Sequence, residues 1–473
     1  MSSQHLSSAA TPAAARKLRD VPGPRGFPLI GNLLEIDQAR FHLTLEAFCR
    51  EYGNLFSFRL GPERCLGVAD PELVRSLLRE RPHDFRRMKT MESTARELGM
   101  HGVFSAEGDD WKRQRSLIMP AFREENFTSH FEMLRTITDR LLGFLAPAAA
   151  SGEPVDILHL LMRYTVDVTA QIALGRDLNT LERGADELQR HFETIFPMLL
   201  RRVLAPFPYW HYLKLPADRA LDRALEAARR SILPMIADSR GALAADPTRH
   251  AAPRSLLEAM LVASDGERLS DTEVLANVFT LLLGGEDTTS NTLAWIVYFL
   301  AKHSDIQQEL RAEADVVLGD STTLPDYARL GQLRSTTAVA HETLRLKGPA
   351  PFVALSAARA VTISDIGVPA NTPVFVLLRE SAKQSPSFPD PERFDPHRFL
   401  AADTSLARAS IPFGAGPRIC PGRQLALLEC ALVVSALVKR FELTLSGTEE
   451  VRERFDFAME PENLRVFVHA RRD

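Results

Sequence analysis

Cysteine is scarce in this chain: four in 473 residues, at Cys49, Cys65, Cys420 and Cys430. No two share C-x-x-C spacing and none joins a histidine at zinc spacing. That excludes a disulfide framework, a structural zinc site and an iron–sulfur centre. Few cysteines and no signal peptide point to a reducing compartment, the cytoplasm. A surplus of either charge is also missing, with a formal net charge of −4. Nucleic acid would need a basic excess and is excluded as a partner. No dinucleotide glycine fingerprint is present. The longest apolar stretch, 274–301, is interrupted by Gly284-Gly285-Glu286-Asp287-Thr288-Thr289-Ser290-Asn291. Adjacent acids at a bilayer centre are costly, so this is a buried helix and not a transmembrane anchor. Internal repeats and a linker to a second catalytic domain are absent as well.

What is present is ordinary globular material, 45% apolar and 25% charged. Residues 1–20 are Ser/Ala-rich and read as a disordered tail, with a loose likeness to a mitochondrial transit peptide. Residues 21–473 read as one domain. A stiff Pro/Gly segment at 21–28 leads into two short strands, 55–60 and 65–68, around Gly61-Pro62. From Pro71 to about residue 345 the periodicity is helical, with loops at 82–110, 203–217 and 241–254. Strand-like sequence follows at 352–379, then a loop-rich stretch at 381–419, a helix near 423–439 and a strand-rich tail. The fold class is mainly α with a small β component.

One helix breaks the local rules. Ser270-Asp271-Thr272-Glu273 fits a capping box. The pattern then runs to Lys302, roughly 30 residues or about 45 Å. Ser304 to Gln307 reads as a second capping box opening the next helix. At the centre of the long helix each of Gly284 and Gly285 costs about 1 kcal/mol against alanine. Thr288 and Thr289 can bond back to the helix carbonyls and bend it. Such violations are expected at functional sites.

Cys420 ends a Gly/Pro-rich loop, Phe413-Gly414-Ala415-Gly416-Pro417-Arg418-Ile419-Cys420-Pro421-Gly422, just before an apolar helical run. The helix dipole and Arg418 would both favour its thiolate. A thiolate so held is a nucleophile, a metal ligand or a small buried residue. Cys49, Cys65 and Cys430 read as small buried hydrophobes.

The loop matches F-x-x-G-x-x-x-C-x-G and resembles the haem-binding signature of the cytochrome P-450 family. Four further motifs follow that family's pattern in order: Trp111-Lys112-Arg113-Gln114-Arg115, Gly284-Gly285-Glu286-Asp287-Thr288-Thr289, Glu342-Thr343-Leu344-Arg345 and Pro391-Glu392-Arg393-Phe394. The resemblance covers 21–473. It implies a triangular helical prism with small β-sheets and a long central helix over haem b. It implies Cys420 as the axial iron ligand, with Phe413, Gly414 and Gly422 shaping the cofactor loop. Trp111, Arg115 and Arg418 would bond the haem propionates. Asp287 and Thr288 would deliver protons to bound oxygen beside a helix bulge at Gly284-Gly285. Glu286, about 100° round the helix, points elsewhere, and Thr289 bonds its own helix. Glu342, Arg345 and Arg393 would form a buried ion-pair cluster. Lys112 and Arg113 are either solvated or part of a basic patch for an electron-transfer protein.

The resemblance further implies a monomeric monooxygenase that takes O2 and an apolar small molecule. NAD(P)H would serve only indirectly, through a reductase with a ferredoxin or flavodoxin. A peroxide-driven peroxygenase or isomerase, or a non-catalytic haem or lipid binder, are the alternatives; Asp287-Thr288 argues against both. The pocket would be lined from 88–104, 196–210, 279–284, 351–355 and 457–459. The basic and aromatic stretch 198–210 is either a packed loop or a contact for an acidic substrate or a membrane surface. The chain departs from the family at one point: Leu355 stands where many members carry a propionate arginine. Arg359, four residues on, is left out of the site.

Overall fold

Helix Asp271–Lys302 opens on the predicted reciprocal cap. The Glu273 N–H donates to Ser270 Oγ, and the Ser270 N–H donates to the Glu273 carboxylate. The computed structural model describes residues 16–184, 187–205, 207–251, 253–262, 269–400, 406 and 409–471. Six helices, labelled in chain order, build the site: α1 (Gly108–Ile118), α2 (Ile157–Leu174), α3 (Glu187–Val203), α4 (Asp271–Lys302), α5 (Arg334–Lys347) and α6 (Arg423–Arg440).

The long helix α4 is buried over most of its length because it packs against α2, α5 and α6. It stays α-helical through Gly284-Gly285, so the expected bulge is not formed. Thr288 instead satisfies the Gly284 carbonyl from within, its hydroxyl donating at 2.6 Å. Gly285 is there for close approach. A Cβ on it would lie 2.6 Å from Thr169 Oγ1 of α2. The second cap expectation is also corrected. The residue before helix Ser304–Leu318 is His303, and Ser304 is already helical. Gln307 does not close a box. Its amide donates to the carbonyls of Leu300 and Leu443 and accepts from the Leu443 N–H, tying this helix to the C-terminal strands.

The main sheet has five strands: β1 (Leu55–Leu60), β2 (Glu63–Val68), β3 (Phe85–Arg87), β4 (Phe352–Ala357) and β5 (Pro373–Leu377). Their order is β1-β2-β5-β4-β3. The β2–β5 pair is parallel and the others antiparallel. The segment 82–110, expected as loop, holds β3 and a helix, Lys89–Glu97. Neither the Arg86-Arg87 run nor a helix so rich in charge carries a hydrophobic period. Residues 16–20, expected within the tail, are ordered. Arg16–Lys17 pair with Ile366–Gly367, and the Arg16 guanidinium forks onto Asp365 at 2.7 Å on both arms. Residues 1–15 lie outside the described residues. A C-terminal hairpin, Arg452–Phe455 with Met459–Glu462, carries 456–458 at its tip. No helix among the described residues is long and apolar enough to cross a membrane.

Candidate active site

The Cys420 loop folds back on itself. The Cys420 N–H donates to the Phe413 carbonyl at 3.0 Å, and Gly414 N–H to the Ile411 carbonyl at 2.9 Å. Gly416 has φ +70°, and a Cβ there would sit 2.7 Å from the Arg79 Cα, so only glycine fits that corner. Arg115 fastens the loop from α1, its Nη2 donating to the Ile419 carbonyl at 2.7 Å. The Cys420 side chain is exposed by area. The loop still crowds its other sides: a Cβ on Gly422 would lie 3.9 Å from Sγ. Burial pushes its thiol up, against backbone N–H bonds from Gly422 and Arg423 and the charges of Arg115 and Arg423. Arg418, expected to favour the thiolate, faces away onto Glu107 and Trp111. A bound metal cation would reverse the thiol's preference, since a coordinating thiol is deprotonated.

Beside the loop lies a knot of buried arginines. Arg418 Nη2 is 2.7 Å from Glu107 Oε2, and its guanidinium sits 4.2 Å above the Trp111 ring. Arg81 lies 3.7 Å from Glu107 Oε1, with its Nε lacking any partner among the described residues. Arg87 donates to the Phe104 carbonyl and stacks 3.7 Å over the Phe104 ring. Burial, then the neighbouring Arg81 and Arg418, hold the Arg87 pKa well below its ordinary value. Arg418 is pushed down to about 10, by burial first, with Glu107 opposing. Among the described residues Glu107 is the single carboxylate beside these three: it pairs with Arg81 and Arg418, and from Arg87 it accepts only the backbone N–H, at 2.9 Å. The surplus positive charge fits a ligand that brings its own carboxylates, and the two propionates of haem meet that need.

Arg87 was missed at the sequence level. It stands on β3 directly opposite Leu355 of β4, the position where the family's arginine was lacking. The Arg86-Arg87 pair in an apparent loop was the signal. Arg359 lies on the surface, paired with Asp84.

On α4 the side chains of Asp287 and Thr288 are half-buried. Burial first, then the charges of Asp456 and Glu193, push the Asp287 carboxyl up to about 6. Gly284, one turn before Thr288, is exposed, and a Cβ there would meet nothing within 4 Å. Glu286 points away as expected and is buried between α2 and α3. Thr289 is buried; the hydroxyls that bond back to this part of the helix are those of Thr288, Ser290 and Thr292.

Glu342 and Arg345 form a two-pronged pair at 2.7 and 2.8 Å with both side chains fully buried. Arg393 does not join through its side chain, which is exposed. Only its carbonyl takes part, accepting from Arg345 at 3.3 Å. The nearby second cation is Arg398, whose Nε is 3.4 Å from Glu342. Lys112 pairs with Asp109, and Arg113 with Asp110 and Glu273, so neither is a free cation. In the basic and aromatic stretch, Arg202 is buried on Asp218 at 3.0 Å and stacks over Trp210, whose indole donates to Glu97 at 2.8 Å. Those two side chains are packed inside, whereas Phe207 of the same stretch is 59% exposed. Cys49, Cys65 and Cys430 are buried.

A cysteine loop before a helix, a cation knot wanting carboxylates and an acid–alcohol pair on a long buried helix are the features that a haem–thiolate oxygenase site would combine. Residues 21–468 match the family described as cytochrome P450, and the chain belongs to it. A cyclooctat-9-en-7-ol 5-monooxygenase of Streptomyces melanosporofaciens is 30% identical over 427 residues, covering 89% of this chain and 88% of that one. Cyclooctatin synthase of the same organism is 28% identical, with 97% of each chain covered. The fold is that of the cytochrome P450DA heme domain, with a TM-score of 0.85 at 23% identity and 97% and 99% coverage. The protein is a cytochrome P450 monooxygenase, a family that implies haem, redox partners and apolar substrates.

Proposed function

We propose that this monooxygenase inserts one atom of O2 into an apolar, ring-containing small molecule, by hydroxylation or epoxidation. Electrons pass from NAD(P)H through a reductase and a separate ferredoxin or flavodoxin. The observation that carries the reading is an acid poised near neutrality, Asp287, next to the Thr288 hydroxyl. Two relatives named for chemistry on a cyclic skeleton support the substrate class. The partner assignment is supported by the missing dinucleotide fingerprint and the missing cluster cysteines.

When bound, haem would supply dioxygen binding and reductive O–O cleavage, favoured by electron density from a thiolate ligand. Cys420 Sγ would be that ligand. Phe413, Gly414 and Gly422 shape its loop, and Arg115 fixes the loop's height. Arg87, Arg115, Arg418 and the Trp111 indole would hold the two carboxylates, with Arg81 adding charge behind them. Asp287 would hold a proton at its carboxyl and take its replacement from solvent, beside the Thr288 hydroxyl on the same helix. The Thr288 hydroxyl donates to the Gly284 carbonyl, and its oxygen lone pairs stay free to accept. Glu342 and Arg345 support the fold behind the cysteine loop and do no chemistry.

The test is reconstitution with NAD(P)H, a ferredoxin or flavodoxin and its reductase, using substrates picked by the haem spectral shift from a library of cyclic alcohols and hydrocarbons. Oxygenated product is expected with the partners and none with peroxide alone. Turnover with peroxide alone, and none with partners, would make the protein a peroxygenase.

A further inference from the structure

Glu97 is the last residue of helix Lys89–Glu97, and its carboxylate gathers donors from elements far along the chain. Its Oε1 accepts from the Trp210 indole at 2.8 Å and lies 3.6 Å from Arg202 Nη1. Its Oε2 is 3.1 Å from His211 Nε2. Arg202 of α3 stacks over the Trp210 ring and pairs at 3.0 Å with Asp218, in the first turn of helix Pro216–Ala245. Trp210 is buried, with His211, Tyr212 and Leu213 exposed beside it. One residue beyond Glu97, the Leu98 carbonyl accepts from Arg229 of helix Pro216–Ala245 at 2.9 Å. Among the described helices, α3 packs mainly on Pro216–Ala245 and on Lys89–Glu97. These two helices and residues 209–213 therefore form a cap fastened to the Glu97–Leu98 corner. Toward its other end, helix Pro216–Ala245 is tied by Arg240 to Asp271 at the start of α4.

From that corner, residues 98–107 run to the site. The Val103 N–H donates to Asn277 Oδ1 of α4 at 2.8 Å, and a Cβ on Gly102 would run into Thr280 Oγ1. Thr280, Gly284 and Thr288 follow at four-residue steps, so they share one face of α4. That face is open at Gly284. The Val103 and Ala106 carbonyls accept from Arg418, and the Phe104 ring lies under Arg87. Residues 98–107 are thus a wall between the cation knot and the open face of α4. Phe104 meets Phe457 of the C-terminal hairpin across it, ring centroids 5.9 Å apart.

We infer that Glu97 is a positioning residue: it straps the cap to this wall, and release of the strap admits an apolar ligand to the open face of α4. The inference rests on the reading of that face as the oxygenase site. Two features suit Glu97 to a strap that parts and re-forms. Its side chain is 37% exposed, so water can take over its hydrogen bonds as they break. Arg202, 2% exposed, keeps its pair with Asp218 when Glu97 leaves, so opening strands no buried charge.

Stopped-flow binding of 4-phenylimidazole, a bulky apolar azole that coordinates haem iron, tests the strap in the holoprotein without turnover. A strap that gates entry slows arrival and departure equally. Glu97→Ala should therefore raise the association and dissociation rates alike, about tenfold for the loss of a charge-assisted hydrogen bond, with Kd held within about threefold. Trp210→Phe and His211→Gln should each raise both rates by less, and they carry the test if Glu97→Ala fails to hold haem. Trp210→Phe added to Glu97→Ala should change the rates by less than about twofold, because the strap is already broken. Unchanged rates in the Glu97 and Trp210 variants would overturn the inference. So would a weaker Kd with an unchanged association rate, which is the mark of a merely damaged site. Paired faster rates in a protein that forms no oxygenated product with redox partners would instead overturn the oxygenase reading, and leave the strap standing.

Discussion

Arg87 faces Leu355 across the β3–β4 ladder, so a side chain lost from one strand is supplied by its neighbour. Opposite residues in an antiparallel pair have Cβ atoms about 5 Å apart. The guanidinium therefore reaches the same region from the other strand. Arg87→Leu should release haem to an acceptor apoprotein about tenfold faster, in line with one lost charge-assisted hydrogen bond. Arg359→Ala should not change the rate.

With Asp287 as the proposed proton-delivering acid, its titration should set the pH response of catalysis. Its carboxyl is pushed up to about 6, by burial first and then by Asp456 and Glu193. Proton delivery needs the protonated form to be refilled, so product per NAD(P)H should fall as pH rises through and above 6. Asp287→Asn should remove that limb and slow the proton-dependent step about 10²-fold. The stability sign is separate. A raised native pKa means the folded chain holds a proton that the unfolded chain has already lost. Asp287 therefore adds stability at low pH, and that contribution is lost as pH rises from its ordinary 3.8 through 6.

The Glu342–Arg345 pair is fully buried, so removing one partner strands a charge. Arg345→Leu should cost about 3–5 kcal/mol in urea unfolding of the holoprotein. Arg393→Ala should stay within about 0.5 kcal/mol, because that side chain is exposed and only its backbone is used.

A second buried network joins the chain's ends. Glu453 of the C-terminal hairpin bonds His42 at 2.7 Å and Arg379 at 2.9 Å, and pairs with Lys347. Burial works against its ionisation, but His42, Arg379 and Lys347 outweigh burial and hold the carboxyl well below the usual range. A depressed native pKa gives stability that is present above the unfolded value and lost as pH falls. Glu453→Gln should therefore flatten the acid limb of the melting temperature.

Much of this was legible before folding was known, and the parts that were not share a cause. The Ser270 cap, the β1–β2 hairpin and the Glu342–Arg345 pair depend on neighbours within a few residues, so local pattern sufficed. Arg87 and Arg398 gain their roles from register and packing across 268 and 56 residues of sequence, beyond the reach of any local period. The Gly284-Gly285 step misled in an instructive way. Two glycines suggested a break, whereas one faces open space and the other admits Thr169 of a packed helix. Arg393 misled because the motif places its backbone, and only the structure shows where its side chain goes.

The central claim is that Cys420 is a metal ligand and not a nucleophile. The direct test is the difference spectrum of the reduced holoprotein with carbon monoxide. Wild type should show the long-wavelength Soret band of thiolate ligation, and Cys420→His should lose it while keeping haem in the Arg87–Arg418 cradle. A Cys420→His protein with an unchanged long-wavelength band, or a wild type that never shows one, would contradict the account.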